Sequence, residues 1–268
     1  MTISIGFIGA GNMGGAMIAG LAPGKDLQIH VFDPDQDRVG ALVQKYGIQA
    51  ASTPMDVADK SSYIFYAVKP GLMKSVIQQT LPLINETKCI LSIAAGVQIR
   101  NLILWSDNKC PVVRIMPNTP ALVDRGVFAL CLEHSLLGSD QKDLITALLN
   151  RLGQTFILPE KSFDAFTGLI GSGPAYVFYF MESMVEAGVL EGLDRKTTTA
   201  MVRELFAGSA QMTFMQDTCI SGLREMVTSP GGTTIQGLKT LDKRAVRAAI
   251  MEAVEKATQK SAELGRDS

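Results

Sequence analysis

The chain runs to 268 residues, of which 47% are hydrophobic and 19% charged, so it can bury a substantial core as one large domain or two. Its 25 Lys and Arg are matched by 26 Asp and Glu scattered among them, which leaves no basic field for nucleic acid or anionic lipid. No apolar run reaches the roughly 18 residues of a membrane span and no basic, cleavable leader precedes the first strand, so neither membrane insertion nor export is expected and the compartment is read as cytoplasmic.

Ile3, Ile5, Phe7 and Ile8 form a short apolar run suited to a buried parallel strand. Gly9, Gly11 and Gly14 follow it in G-x-G-x-x-G spacing. In such a loop the first glycine permits the tight turn, the second lets backbone approach a pyrophosphate, and the third lets the following helix, residues 12–21, pack against the strand. The N–H groups at that helix start, around Asn12 and Met13, then face the phosphates. A second strand, 27–32, ends at Asp33, about 20 residues on, the context this motif requires.

Helix 35–46, a short extended piece at 48–51, and a helix started by Thr53 as N-cap with Pro54 in its first position come next. Strand 63–68 closes on Lys69-Pro70, and helix 72–81, strand 89–93, helix 97–105 and strand 112–116 continue the alternation. That order predicts an α/β protein with an N-terminal, Rossmann-like doubly wound sheet. Segments 126–132 and 155–158 read as edge strands around a helix with Ser139 as N-cap and Asp140 in its first turn.

Pro159 marks a boundary, with a dinucleotide-binding domain over 1–159 and an all-helical C-terminal domain over 160–268. The helical pattern covers 162–169, 174–190, 195–215, 220–227 and 234–264, with a break near Asp242. These helices are rich in Met and Ala and too apolar to bury all their surface alone, so a homodimer through the helical domain is expected, with a higher homo-oligomer open.

In a doubly wound sheet the ligand lies beyond the carboxyl ends of the strands. The residues there are Gly9, Gly11, Asn12, Met13 and Gly14, then Asp33, then Ala67, Val68, Lys69 and Pro70, then Ala94 and Ala95, and finally Asn118 between Pro117 and Pro120. All are assigned to the cofactor, NADH or NADPH. A carboxylate at Asp33 accepts from the ribose hydroxyls of NADH and repels the extra phosphate of NADPH, although Arg38 one turn later can offset that repulsion. In the helical part, Ser229-Pro-Gly-Gly-Thr-Thr234 presents N–H groups and hydroxyls ahead of a helix, an anion site suited to a carboxylate. Cys89, Cys110, Cys131 and Cys219 lie far apart and away from His30 and His134, so no metal site is expected and all four are read as buried free thiols.

The segments GFIGAGNMG (6–14), AVKP (67–70), SIAAGV (92–97), MPNTPAL (116–122), GLIGSGPAYVF (168–178) and MVTSPGGTT (226–234) together resemble pyrroline-5-carboxylate reductase, the last enzyme of proline synthesis. The resemblance implies that the amides of Ser229, Gly232 and Thr233 hold the substrate carboxylate, that the Thr234 hydroxyl bonds the ring nitrogen as the catalytic group, and that Val227 flanks the ring. It also implies that Glu160 lies close to the ligands, and the family's habit is NADPH. Two features depart from the pattern: Cys219-Ile-Ser221 stands where a His-Pro pair is common, and many relatives lack an acid at the position of Asp33. A similar family, the dehydrogenases of short 3-hydroxy acids, carries a lysine and an asparagine after its glycine-rich segment, at positions that here hold Val177 and Met181. A cofactor-sensing protein without turnover is the remaining alternative.

Overall fold

The computed structural model describes residues 2–214 and 219–266. An eight-stranded sheet has the order β3-β2-β1-β4-β5-β6-β7-β8. The strands are β1 (Ile3–Ile8), β2 (Leu27–Phe32), β3 (Gln49–Ala50), β4 (Tyr63–Tyr66), β5 (Cys89–Ser92), β6 (Val112–Met116), β7 (Gly126–Cys131) and β8 (Gly153–Ile157). Only the β6–β7 pairing is antiparallel. The order of the first six strands is that of a dinucleotide fold, with its topological switch between β1 and β4.

Helices α1 (Asn12–Leu21), α2 (Gln36–Tyr46), α3 (Pro54–Lys60), α4 (Met73–Thr80), α5 (Ile99–Trp105) and α6 (Ser139–Asn150) connect them. Burial on both faces explains why the strands read as near-continuous apolar runs rather than alternating ones. On one face Ile5, Phe7, Phe65, Leu91 and Ile115 pack with Met17, Ile18 and Leu21 of α1 and Ile145, Leu148 and Leu149 of α6. Ile8, Ile64, Tyr66 and Ile90 turn to the other face and meet Val57, Met73, Ile77 and Leu102. Phe7 and Phe65 stack across β1 and β4 with ring centroids 4.7 Å apart. Each such side chain contributes about 1.5–3 kcal/mol on burial, so the two-sided core is a main source of this unit's stability.

Local chemistry sets several boundaries. Thr53 caps α3 in a full capping box: its hydroxyl accepts from the Asp56 N–H at 3.1 Å, and the Asp56 carboxylate accepts from the Thr53 N–H at 3.0 Å. The cap of α6 is Gly138, not Ser139: the Gln141 side chain reaches back to the Gly138 N–H at 3.1 Å, while the Ser139 hydroxyl turns to Asp140. Ser139 therefore occupies the first helical position, because Gln141 three residues beyond Gly138 supplies the reciprocal bond that a Ser cap would otherwise need.

After β8 the chain continues as α7 (Phe163–Phe166), a π-helical turn (Thr167–Gly171), α8 (Gly173–Leu190), α9 (Arg195–Met212), α10 (Ile220–Met226), α11 (Thr233–Lys243) and α12 (Val246–Arg266). The break between the last two falls at Ala245, which adopts φ +54°. Met215, placed by the sequence pattern at the end of the 195–215 helix, lies outside the described residues. Cys219 is exposed, contrary to its reading as a buried thiol, because its sulfur sits at the N-terminus of α10 accepting from the Gly222 N–H. Cys89, Cys110 and Cys131 are buried.

The chain divides into two compact units, one of residues 1–172 with 256–268, the other of residues 173–255. Within the first, the end of α12 lies on the loop after β5, where a Cβ at Gly96 would meet the Gly265 nitrogen at 3.2 Å, and the Ser261 hydroxyl bonds Asp164 at 2.7 Å. The second is a set of helices with little core of its own: α8 buries only Val185, α9 only Thr198 and Val202, and α10 and α11 no residue.

Candidate active site

The carboxyl ends of β1, β2, β4, β5 and β6 carry the residues assigned to the cofactor. Strand β4 ends at Tyr66, so Ala67, Val68, Lys69 and Pro70 belong to the loop beyond it, and Ala94 and Ala95 likewise follow β5. Gly9 adopts φ +105°, and a Cβ there would meet the Ala67 carbonyl oxygen at 2.5 Å. Only glycine fits that turn. A Cβ at Gly14 would collide with the Gly9 carbonyl, so α1 seats on the turn only without one.

Gly11 is different. A Cβ there would meet nothing nearer than Arg38 Nη1 at 3.8 Å, and its φ of −61° suits any residue. The protein's own packing leaves the second glycine of the motif unexplained, whereas backbone approach of a pyrophosphate explains it. Gly11 is also the N-cap of α1 and offers no side-chain cap, so the first N–H groups of the helix face outward as an anion site. The residues present therefore fit a dinucleotide.

Asp33 is already at work in the loop. Its carboxylate accepts from the Ala10 N–H at 2.6 Å and from the Asp35 N–H at 2.9 Å, so it braces the glycine turn from β2. Each carboxylate oxygen retains acceptor capacity for a ribose hydroxyl. Arg38 stands 3.5 Å from Asp35 in an exposed ion pair, within reach of the same ribose end of the loop.

Glu160 Oε1 accepts from Arg114 Nη1 at 3.0 Å and from the Ile99 N–H at 2.7 Å. It thus joins β6, the start of α5 and the approach to α7. Arg114, only 4% exposed, also lies over the Phe163 ring at 4.7 Å. Sequence reasoning missed Arg114, although a guanidinium inside the apolar strand VVRIM was a signal that an acid had to face it. The Asn118 side chain is engaged too, accepting from the Val127 N–H at 2.9 Å and donating to the Ile170 carbonyl at 3.3 Å.

In the helical unit, Val227, Ser229 and Gly232 lie on the turn between α10 and α11, with Thr233 and Thr234 directly after it. Thr233 and Thr234 open α11, and their N–H groups have no intrahelical acceptor by helix geometry. Gly232 caps the helix, with its N–H donating to the Ser229 carbonyl at 3.2 Å. Among the described residues there is no group of three or more His, Cys, Asp or Glu able to hold a metal, and no helix long and apolar enough to cross a membrane.

Residues 160–264 match the family model for pyrroline-5-carboxylate reductase dimerisation, and residues 4–96 match that for NADP oxidoreductase, coenzyme F420-dependent. The chain is 38% identical to the pyrroline-5-carboxylate reductase of Escherichia coli K12, over 99% of its own length and 100% of that protein. The chain belongs to the pyrroline-5-carboxylate reductase family. The reductase of Pisum sativum is 34% identical over 97% of this chain and 96% of its own. The crystal structure of Plasmodium falciparum pyrroline carboxylate reductase with NADP bound superposes with a TM-score of 0.89 at 32% identity, covering 98% of each chain.

As a member of this family the protein is an NAD(P)H-dependent oxidoreductase, and its dimerisation segment makes it a homo-oligomer. The membership also decides against the hydroxy-acid dehydrogenases and against a sensor without turnover, in line with Val177 and Met181 where the former carry lysine and asparagine.

Proposed function

We propose that this protein reduces 1-pyrroline-5-carboxylate to L-proline, completing proline biosynthesis in the cytoplasm. The observation that carries this reading is the match to reductases of that name along essentially the whole chain. NADH or NADPH supplies a hydride to the imine carbon, a proton reaches the ring nitrogen, and L-proline and NAD(P)⁺ result. The imine nitrogen is basic enough to take its proton from a hydroxyl or water, so the reaction makes no demand for a lysine or histidine base. Residues 227–234 contain neither.

The chain's own contribution is then orientation. The amides of Ser229 and Thr233 hold the carboxylate at the positive end of α11, that of Gly232 joins them by sharing its hydrogen with the Ser229 carbonyl, Val227 flanks the ring, and the Thr234 hydroxyl orients the nitrogen. The turn at Gly9, Gly11, Asn12, Met13 and Gly14 takes the pyrophosphate. Asp33 takes the ribose, Ala67 to Pro70 with Ala94 and Ala95 line the cofactor's path, and Glu160, held by Arg114 and the Ile99 N–H, belongs to the substrate side. We assign residues 1–159 to the dinucleotide and 160–268 to substrate binding and dimerisation. Asp33 favours NADH, with Arg38 tempering the preference.

The apolar surface of the helical unit supports a homodimer. Phe178, Tyr179 and Ile220 are 64%, 69% and 75% exposed in the single chain, an arrangement soluble monomers rarely tolerate over a large area.

The test is to follow the loss of reduced nicotinamide on adding the imine, with NADH and NADPH in parallel. Turnover with kcat/KM higher for NADH is expected, and no turnover with either overturns the reading. Thr234→Ala should lower kcat/KM by about 10- to 100-fold, the loss of one hydrogen bond to a charged group. Unchanged activity in that variant removes Thr234 from the mechanism.

A further inference from the structure

Asn118 was assigned to the cofactor because two prolines hold it at the carboxyl end of β6. The structure gives its side chain another task. It is 6% exposed, and both ends of its amide are bonded within the protein, the oxygen to the Val127 N–H in β7 and the nitrogen to the Ile170 carbonyl.

The second bond answers a defect written into the sequence. In an α-helix the carbonyl of residue i accepts from the N–H of residue i+4. For Ile170 that residue is Pro174, whose ring nitrogen carries no hydrogen. The backbone around Ile170 is wound as a π-helical turn, Thr167–Gly171, in which the Ser172 N–H passes to the Thr167 carbonyl at 2.9 Å. The Ile170 carbonyl, part-buried and without an α-helical donor at position 174, takes a side-chain donor instead. Asn118 Nδ2 is that donor. Packing reinforces the bond, since a Cβ on Gly171 would stand 3.1 Å from the Met116 methyl. The turn after β6 thus meets the π-turn through one hydrogen bond, and Met116 at the end of β6 leaves room beside Gly171 for little more than a hydrogen.

We propose that Asn118 is a positioning residue for the hydride transfer: in place of the N–H that Pro174 lacks, it locks the 167–171 π-turn onto the ligand end of β6, without itself touching the cofactor. π-helical turns occur frequently at functional sites, and a misplacement of about 1 Å in a site built on orientation can cost on the order of 100-fold in rate. This rests on the proposed reductase function for its kinetic consequence, but the tie itself is a matter of local chemistry.

The experiment is a double-mutant cycle in the full-length protein. Asn118→Asp retains the acceptor for Val127 and removes the donor to Ile170, and Asn118→Ala removes both. Pro174→Ala returns an N–H to the position four residues beyond Ile170. Three quantities are read for each single and double variant: kcat, the dissociation constant of NADPH from quenching of protein fluorescence, and the melting temperature. Asn118→Asp should lower kcat at least 10-fold and change the NADPH dissociation constant by less than about 3-fold. In the Pro174→Ala background the same change should lower kcat by less than about 3-fold.

Weakened NADPH binding in Asn118→Asp that Pro174→Ala does not relieve would make Asn118 a cofactor ligand and overturn the proposal. A lowered melting temperature with unchanged kcat would make the tie structural only, and overturns it equally. Should Asn118→Ala fail to fold, Asn118→Asp alone completes the cycle. Absence of turnover in the wild-type protein would instead count against the functional reading, and the 118–174 coupling in melting temperature would still decide whether the tie exists.

Discussion

Three glycines in one turn carry three different constraints, and substitution separates them. Gly9 and Gly14 are required by the protein itself, the first through its φ of +105° and the contact with Ala67, the second through the Gly9 carbonyl. Gly11 is required by nothing within 3.8 Å. Gly11→Ala should therefore leave the melting temperature of the cofactor-free protein unchanged or slightly higher, because alanine at an allowed φ restricts the unfolded chain. The same variant should weaken NADPH or NADH binding by at least 10-fold, measured by titration calorimetry. A loss of stability without a loss of affinity would remove Gly11 from the cofactor site. At this scale the glycine spacing was legible in the sequence because it is a local code. The hydrogen bond by which Asp33 braces Ala10 was not, because it depends on where β2 ends relative to β1.

Elements were legible in proportion to how local their causes are. The run of β1 and the Thr53-Pro54 start of α3 follow from neighbours in the chain, and they stand where the pattern put them. The start of α6 slipped to Gly138 because a glutamine three residues on supplied the bond. Within the strands, apolar pattern foretold that Cys89 and Cys131 are buried. Burial pushes the Cys131 thiol up to about 12 and that of Cys89 higher still. His30, in β2, is also buried, and loss of solvation holds its pKa below the ordinary 6.5, as it does for His134.

A lowered folded-state pKa means that the native protein binds fewer protons than the unfolded chain. The contribution of the two neutral imidazoles is therefore complete above pH 6.5 and is lost as the pH falls below it towards the folded values. At His134 the ring also has a specific bond to lose, since Nδ1 accepts from the Leu136 N–H at 3.2 Å. The melting temperature should fall between pH 7 and pH 5, and His30→Gln should reduce the slope. A flat profile for the wild-type protein would contradict the assignment of both rings as neutral.

For the whole molecule, the contrast between the two compact units is the guide. The sheet unit buries large side chains on both faces, while α8 to α11 together bury three residues and leave Phe178, Tyr179 and Ile220 in the open. A surface of that kind is completed by another copy of itself more readily than by solvent. Size-exclusion chromatography with light scattering should give at least twice the 28.8 kDa chain mass, and melting should depend on protein concentration. A stable species of one chain mass at high concentration would contradict this. Replacing Phe178 and Ile220 by charged residues should shift the population towards the monomer.

By itself the sequence determined the doubly wound sheet, the dinucleotide turn and the all-helical remainder. Each of these is written in short-range periodicity and in residue types with local conformational meaning. Tertiary structure decided what the polar side chains at the strand ends do: that Arg114 pairs with Glu160, that Asp33 braces the glycine turn, and that Asn118 supplies a donor to Ile170. Those bonds join residues 23 to 52 positions apart, and a hydrogen bond depends on tenths of an ångström that no pattern along the chain encodes.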